Sequence, residues 1–109
     1  MEEKWSQAKI QQYITDGEEE GQNLEYKGAD ALAKDDDKKR EISKDVSAMA
    51  NAEGGIIIYG VKERKDGKRT LPEGLDPIDS TQFPKAWLEQ IINSNIRPCI
   101  EGYEVCPVN

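Results

Sequence analysis

The chain has 109 residues, of which 36% are hydrophobic and 34% are charged, and its formal net charge is −7. This length is enough for one domain with one hydrophobic core, and the clustering of the apolar residues argues against a disordered chain. The sequence has no signal peptide and no run of about 18 apolar residues, which predicts a cytoplasmic protein without a membrane partner.

Most side chains of a type that can bind a metal ion are carboxylates in this sequence. The sequence contains two cysteines, Cys99 and Cys106, and no histidine. Two cysteines do not suffice for a disulfide scaffold, and they do not make a zinc site without other ligands. Any metal bound by this chain is therefore expected to be a hard cation held by carboxylate oxygens.

The charge is uneven along the chain. Residues 27–70 carry eleven basic and nine acidic side chains, whereas the segments on either side of them are strongly acidic. A cationic surface for nucleic acid, if the protein has one, is therefore predicted within residues 27–70. A mixed, solvated surface is the alternative interpretation of the same charges, because an acidic chain as a whole repels phosphate.

The first part of the chain predicts a helix followed by a strand. Ser6 is a typical N-cap for a helix over residues 6–15, which Gly17 ends. Residues 22–27 alternate between polar and apolar side chains, which favours a strand. Residues 28–36 predict a polar, mobile connection.

A second helix is predicted to begin near Asp36, because acidic side chains are favourable at a helix N-terminus. Ile42, Val46 and Met49 follow the spacing of a buried helical stripe. The helix is predicted to end at 51–54, where a glycine can adopt a left-handed conformation.

The second half predicts a hairpin. Residues 55–63 read as a strand that is apolar on both faces in its first part, which is typical of a central strand. Asp66-Gly67 is a hairpin turn signal, and residues 69–71 are predicted to start the return strand. Residues 72–82 are rich in Pro, Gly and Asp and predict a loop.

The C-terminal part predicts a third helix that starts at Pro84, presents a wide apolar face and ends within 93–98. A last strand is predicted over 100–108. The predicted order gives one α+β domain over residues 1–109, with helices packed on a mixed sheet. The position of the last strand at the chain end suggests a domain cut from a longer protein.

The densest apolar stretch follows a pair of glycines in the segment 47–61, SAMANAEGGIIIYGV. A helix must reverse there into a buried strand within a few residues. Gly54 and Gly55 permit positive φ and close backbone approach, and Asn51 can bond locally to the backbone. This structural interpretation of the junction requires no ligand.

Two segments together carry a family resemblance. Residues 20–27 read EGQNLEYK, and residues 42–63 read ISKDVSAMANAEGGIIIYGVKE. Their combination resembles the AlbA-2 domain, a DNA-binding domain family also found in Schlafen proteins. The sequence departs from the family pattern at Lys62, where the first of two acidic residues is usual, and at Tyr59, where a small or aliphatic residue is usual.

The resemblance implies an α+β domain that works on nucleic acid. Such domains in bacteria belong to transcriptional regulators or helicase-like proteins. A related domain in Schlafen proteins cleaves RNA with three carboxylates and a divalent metal. Carried over by position, these carboxylates fall on Glu20, Glu25 and Glu63, and Lys27 completes the catalytic set. In that case Glu20, Glu25 and Glu63 would bind Mg²⁺ or Mn²⁺.

Three hypotheses remain from the sequence. The first is a nucleic-acid-binding module, with DNA favoured over RNA. Its cationic candidates are Lys27, Lys38, Lys39, Arg40 and Lys44, and then the hairpin residues Lys62, Arg64, Lys65, Lys68 and Arg69. The second is a Schlafen-like nuclease, although catalysis is not expected of this domain alone because the Schlafen site is built on two lobes. The third is a protein–protein module using the helix over 84–95. A homodimer and further domains of a parent protein remain open as partners.

Overall fold

The structure is a computed structural model that describes residues 5–51, 53–95 and 103–108. Its elements are α1 (Gln7–Asp16), β1 (Leu24–Lys27), a 3-10 turn (Ala29–Ala31), α2 (Asp36–Asn51), β2 (Ile56–Tyr59), β3 (Val61–Asp66), β4 (Arg69–Leu75) and α3 (Lys85–Asn95). The α+β class predicted from the sequence is confirmed.

The helix starts follow local side-chain chemistry. Ser6 Oγ accepts a hydrogen bond from Lys9 N at 3.1 Å, and Gly17 ends α1 in the left-handed conformation at φ 62°. Asp35 Oδ1 accepts from Lys38 N at 2.8 Å and so caps the first turn of α2. These contacts satisfy backbone donors that have no partner inside the helix.

The strands form two small sheets. β1 and β2 pair in parallel, with Leu24 opposite Ile56, and α2 forms the crossover between them. β3 and β4 form an antiparallel hairpin. The mixture of parallel and antiparallel pairing agrees with the sequence prediction, but it is divided between two sheets. Within the described ranges β2 pairs with β1 alone, so the expectation of a central strand at residues 56–59 is corrected.

Gly60 is the reason why the single strand predicted over residues 55–63 is two strands. Its φ of 105° lies in a region that L side chains rarely adopt, so the chain turns there. Gly60 N donates to Lys27 O and Gly60 O accepts from Asp76 N, both at 2.7 Å. A Cβ atom at this position would lie 3.2 Å from Asp76 O. Gly60 therefore links the ends of β1 and β2 to the segment after the hairpin.

The β1–β2 sheet is covered on both faces. Tyr26, Ile58 and Val61 form a buried cluster on one face, against which the apolar side of α1 packs. Leu32, Ile42 and Ile91 form a second buried cluster that joins the side of α2 to α3. Burial of these apolar side chains provides the main stabilisation of the fold.

Three further sequence predictions are corrected. The segment 28–36 contains the 3-10 turn and buries Leu32 to 4% exposure, so it packs as part of the core. β4 continues to Leu75, so residues 72–75 belong to the strand and not to the predicted loop, and a bulge between Lys62 and Glu63 adjusts the register of the pairing. Residues 103–108 form no strand, and residues 100–102 of that predicted strand lie outside the described residues.

The apolar face of α3 is used inside the molecule. Ile91 and Ile92 are buried to 4% and 5% exposure, and Trp87 packs with Phe83 at 5.0 Å between ring centroids. The stripe that the protein–protein hypothesis required is therefore core.

None of the helices in the described ranges combines the length and the apolar character that are needed to cross a membrane.

The glycine junction is explained by close packing. α2 ends at Asn51, which is exposed, and Gly54 and Gly55 have φ values of 90° and 155°. Asn23 Nδ2 donates to Gly54 O at 2.7 Å, and Asn23 O accepts from Ile56 N at 2.9 Å. The residue before β1 therefore lies directly against the junction and leaves no room for a side chain at Gly55. The prediction that Gly54 or Gly55 holds positive φ is confirmed, and both glycines do so.

Candidate functional site

A group of charged side chains lies on the α2 side of β1. Alternation along β1 places Tyr26 in the core with no exposed area, so Glu25 and Lys27 point to the opposite face. The parallel register places Lys27 opposite Tyr59. This face was the one predicted from the sequence for Glu25 and Lys27.

Lys27 is held between two carboxylates. Its Nζ lies 3.1 Å from Glu25 Oε1 and 3.7 Å from Asp45 Oδ2 on α2. Burial alone would lower the pKa of Lys27, but its hydrogen bond to Glu25 and the charges of Asp45, Glu25 and Glu63 together raise that pKa. Lys27 is therefore a charged residue whose contacts are already largely satisfied within the protein.

Glu20 is fixed beside this group rather than merely solvated. Its carboxylate accepts a hydrogen bond from Tyr26 N at 2.9 Å, and its own N donates to Thr70 O at 2.8 Å. Tyr26 Oη donates to Glu18 O at 2.8 Å. The loop before β1 is thus attached to both β1 and β4, although its sequence is a run of acidic residues.

The three carboxylates predicted from the sequence, those of Glu20, Glu25 and Glu63, influence one another. Burial raises the pKa of Glu20, and the charges of Glu63 and Glu25 and a hydrogen bond to Glu63 raise it further, against the opposing effect of Tyr26 N. Glu20, Glu25 and Glu63 therefore share one electrostatic environment, at the junction of β1, β3 and the preceding loop. The name acidic cluster is used below for Glu20, Glu25, Asp45 and Glu63.

Asp45 was not among the site residues predicted from the sequence. Burial raises its pKa, although Lys27 opposes the shift. Asp45 lies between Ile42 and Met49 at helical spacing, which places a carboxylate on the side of α2 that packs toward the sheet. A charged residue within an apolar helical stripe was the signal that could have identified it.

Tyr59 closes the buried side of the acidic cluster. Its hydroxyl oxygen is inaccessible to solvent and has no hydrogen-bond partner among the described residues. Burial raises the pKa of Tyr59, and the charges of Asp45 and Glu25 raise it further, so the phenol stays protonated. The unusual tyrosine noted in the sequence therefore lies against the charged group.

A comparison with known protein families assigns the chain to a family. The family model described as Schlafen, AlbA_2 matches residues 20–106, a span that begins at Glu20 and contains the whole acidic cluster. The chain belongs to the Schlafen AlbA_2 family. Membership of this family supports a nucleic-acid-related role for the domain. No curated protein and no solved structure shows a significant match to the chain.

The acidic cluster of this AlbA_2 domain does not have the geometry of a metal centre. Among residues 5–51, 53–95 and 103–108, no group of three Asp, Glu, Cys or His side chains is arranged to hold a metal ion. Glu25 is engaged by Lys27, and Glu20 by Tyr26 N. The donor set in this conformation does not fit Mg²⁺ or Mn²⁺, and the metal and catalytic assignments of Glu20, Glu25, Lys27 and Glu63 stay predictions.

The hairpin of the AlbA_2 domain carries the other predicted residues. Every residue from Lys62 to Arg69 is exposed. Lys65 Nζ is 2.6 Å from Thr70 Oγ1, and Arg69 Nε is 3.2 Å from Glu19 Oε2. Lys62, Arg64 and Lys68 have no such contact in the described part of the chain. The five basic side chains therefore differ in how free they are to bind a ligand.

One prediction concerns Glu20 itself. Replacing Glu20 with Gln is expected to raise the melting temperature at pH 7 by about 2–4 °C, because the amide removes a partly buried charge and still accepts from Tyr26 N. The pKa of Glu20 is raised from 4.5, so protonation favours the folded state and the cost of its charge disappears as the pH falls toward 4.5. The stabilisation should therefore shrink with falling pH in thermal unfolding measurements.

The exposed Glu19 provides the control for this prediction. Its partner Arg69 is also on the surface, and such pairs contribute little to stability. Replacing Glu19 with Gln should leave the melting temperature nearly unchanged at every pH. A destabilised Glu20→Gln protein at pH 7 would contradict the electrostatic account of the acidic cluster.

Proposed function

We propose that this domain binds nucleic acid and that the β3–β4 hairpin contacts the phosphate backbone. The observation that carries the proposal is the exposure of five basic side chains against two acidic ones over residues 62–69. Basic side chains on an exposed β-ribbon can follow a groove or a backbone without reading bases. Family membership supports the same class of ligand.

The two faces of the hairpin differ in charge. Arg64, Asp66 and Arg69 share one face by strand alternation and by the pairing of Asp66 with Arg69. Glu63 and Lys65 lie on the other face, where Glu63 joins the acidic cluster. Phosphate is repelled by the acidic cluster, so the backbone is proposed to lie against the face that carries Arg64.

The turn adds a cation at the tip of the hairpin. Gly67 has φ 63°, which allows a tight connection between the strands, and Lys68 follows it. A ligand that contacts the Arg64 face and the tip also meets Lys68, whereas Glu63 lies on the opposite face of the hairpin. Duplex DNA is the first ligand to test, with RNA as the second, and the proposed setting is a module of a transcriptional regulator or helicase-like protein.

The test is a salt titration of binding to a short labelled duplex, repeated with single-stranded DNA and RNA. Three phosphate contacts on the hairpin, from Lys62, Arg64 and Lys68, should together contribute about −2.7 to the log–log slope on duplex DNA. The slope should be the same for unrelated sequences, since phosphate contacts carry no sequence information. Absence of salt-dependent binding to all three ligands would overturn the proposal.

The same titration with Mn²⁺ addresses the Schlafen-like nuclease hypothesis. The described carboxylates do not fit a metal ion, so no chemical step is assigned to them. Intact substrate in the presence of Mn²⁺ is the expected result, and cleavage that is lost in Glu25→Gln would favour the nuclease instead.

A further inference from the structure

A second cationic feature lies on the flank of α2. An open groove of about 580 Å³ runs along this helix. The described residues that line it are Asp36, Lys39, Arg40, Ser43, Lys44 and Ser47. They recur every three or four residues, so they form one stripe over three turns of the helix. This surface is called the α2 groove below.

The lining of the α2 groove is chemically selective. It offers three cationic side chains and two hydroxyls against one carboxylate, in a chain whose net charge is −7. The guanidinium group of Arg40 forms an ion pair with Asp37, which lies one turn earlier on the same helix. Lys39 and Lys44 have no ion pair within the described ranges. The Ser43 hydroxyl already donates to Lys39 O at 3.0 Å, and Ser43 is buried. The two ammonium groups and the Ser47 hydroxyl therefore remain to match the oxygens of an anionic backbone.

Helix geometry separates the α2 groove from the acidic cluster. Asp45 points toward Lys27 on the sheet. Ser43 and Ser47, which line the groove, are each two residues from Asp45, and at about 100° per residue they lie on the opposite flank of the helix. An anion in the α2 groove is therefore shielded from Asp45 by the body of the helix. α2 has one flank that repels phosphate and one flank that attracts it.

We propose that the α2 groove is a second binding site for the phosphodiester backbone of nucleic acid. The proposal deepens the proposed function and rests on it, because both sites would hold the same ligand. The stripe from Asp36 to Ser47 is about 17 Å long, which equals about five nucleotides of one strand in a duplex. Charge complementarity favours nucleic acid here, and other anionic surfaces are outcomes of the test.

The test compares two double variants that remove equal charge. Lys39→Ala with Lys44→Ala removes the free cations of the α2 groove, and Lys34→Ala with Lys85→Ala removes two exposed cations elsewhere. On duplex DNA the groove variant should bind at least about tenfold more weakly in 0.1 M salt and lose about 1.8 from the log–log slope. The control should lose much less than that.

A gain-of-binding variant protects the test against misfolding. Asp36→Asn removes the carboxylate that lines the α2 groove and should tighten binding severalfold, a result that a damaged fold does not produce. Equal affinities of the groove variant and the control, together with no effect of Asp36→Asn, would overturn the proposal. Loss of binding to anionic vesicles or to an acidic peptide, with nucleic acid binding unchanged, would overturn it as well.

The hairpin separates failure of this site from failure of the function. If Arg64→Ala with Lys68→Ala weakens binding and the groove variant does not, the α2 groove is not a site and the proposed function stands. If neither double variant weakens binding, both proposals fail.

Discussion

Replacing Gly55 with Val is expected to lower the free energy of unfolding by about 2–4 kcal/mol. A Cβ atom at Gly55 would lie 2.6 Å from Asn23 O and 2.8 Å from Asn23 Cα, and it would also collide with Met49 Sδ. The backbone there has φ 155°, which a branched side chain adopts only with strain. Since domains are stable by about 5–15 kcal/mol, denaturant unfolding should show the loss clearly.

Gly54 offers the matched control for Gly55. It also has positive φ, at 90°, but a Cβ atom there would meet nothing within 4 Å. Gly54→Val, the same substitution, should therefore cost only the backbone strain, about 1–2 kcal/mol. Equal losses at both positions would show that the close approach of Asn23 is not the cause, and an unchanged Gly55→Val protein would refute it.

Replacing Arg64 and Lys68 with Ala is expected to weaken binding to duplex DNA by about 50-fold in 0.1 M salt and to reduce the log–log slope by about 1.8. Both side chains are exposed and have no ion pair in the described part of the chain. The loss should be alike for all DNA sequences, because these residues are proposed to contact phosphates. Fluorescence anisotropy over a range of salt concentrations measures both quantities.

A second pair on the same hairpin supplies the control. Lys65 and Arg69 carry the same charge but already contact Thr70 and Glu19. Their replacement by Ala should weaken binding less, because these side chains must first give up an internal contact to reach phosphate. Equal losses from the two pairs would indicate a response to bulk charge, and an unchanged affinity of the Arg64 and Lys68 variant would remove the hairpin from the interface.

The helices and the hairpin could be predicted because their signals are local. Ser6 and Gly17 delimit α1 through contacts within a few residues, and Asp66-Gly67 marks the hairpin turn. The break at Gly60 could not be predicted in the same way. The glycine is required by its contacts with Lys27 and Asp76, which are distant in the sequence.

The same distinction applies to the candidate site. Alternation along β1 was enough to place Glu25 and Lys27 on one face, and the resemblance to AlbA-2 domains named Glu20 and Glu63. Asp45 was missed because its contact with Lys27 depends on how α2 docks on the sheet. The hydrogen bond from Lys65 to Thr70 also depends on the cross-strand register. The order of basic residues along the chain does not reveal that register.

The parallel pairing of β1 with β2 has a consequence for the order of folding. The β3–β4 hairpin closes through a short turn, an event that takes about 1–10 μs. Pairing of β1 with β2 must wait for α2 to cross over, and the Asn23–Gly54 contact that seals it joins residues 31 apart in the sequence. We therefore expect the hairpin to form before the pairing of β1 with β2 brings Glu20 and Glu25 beside it.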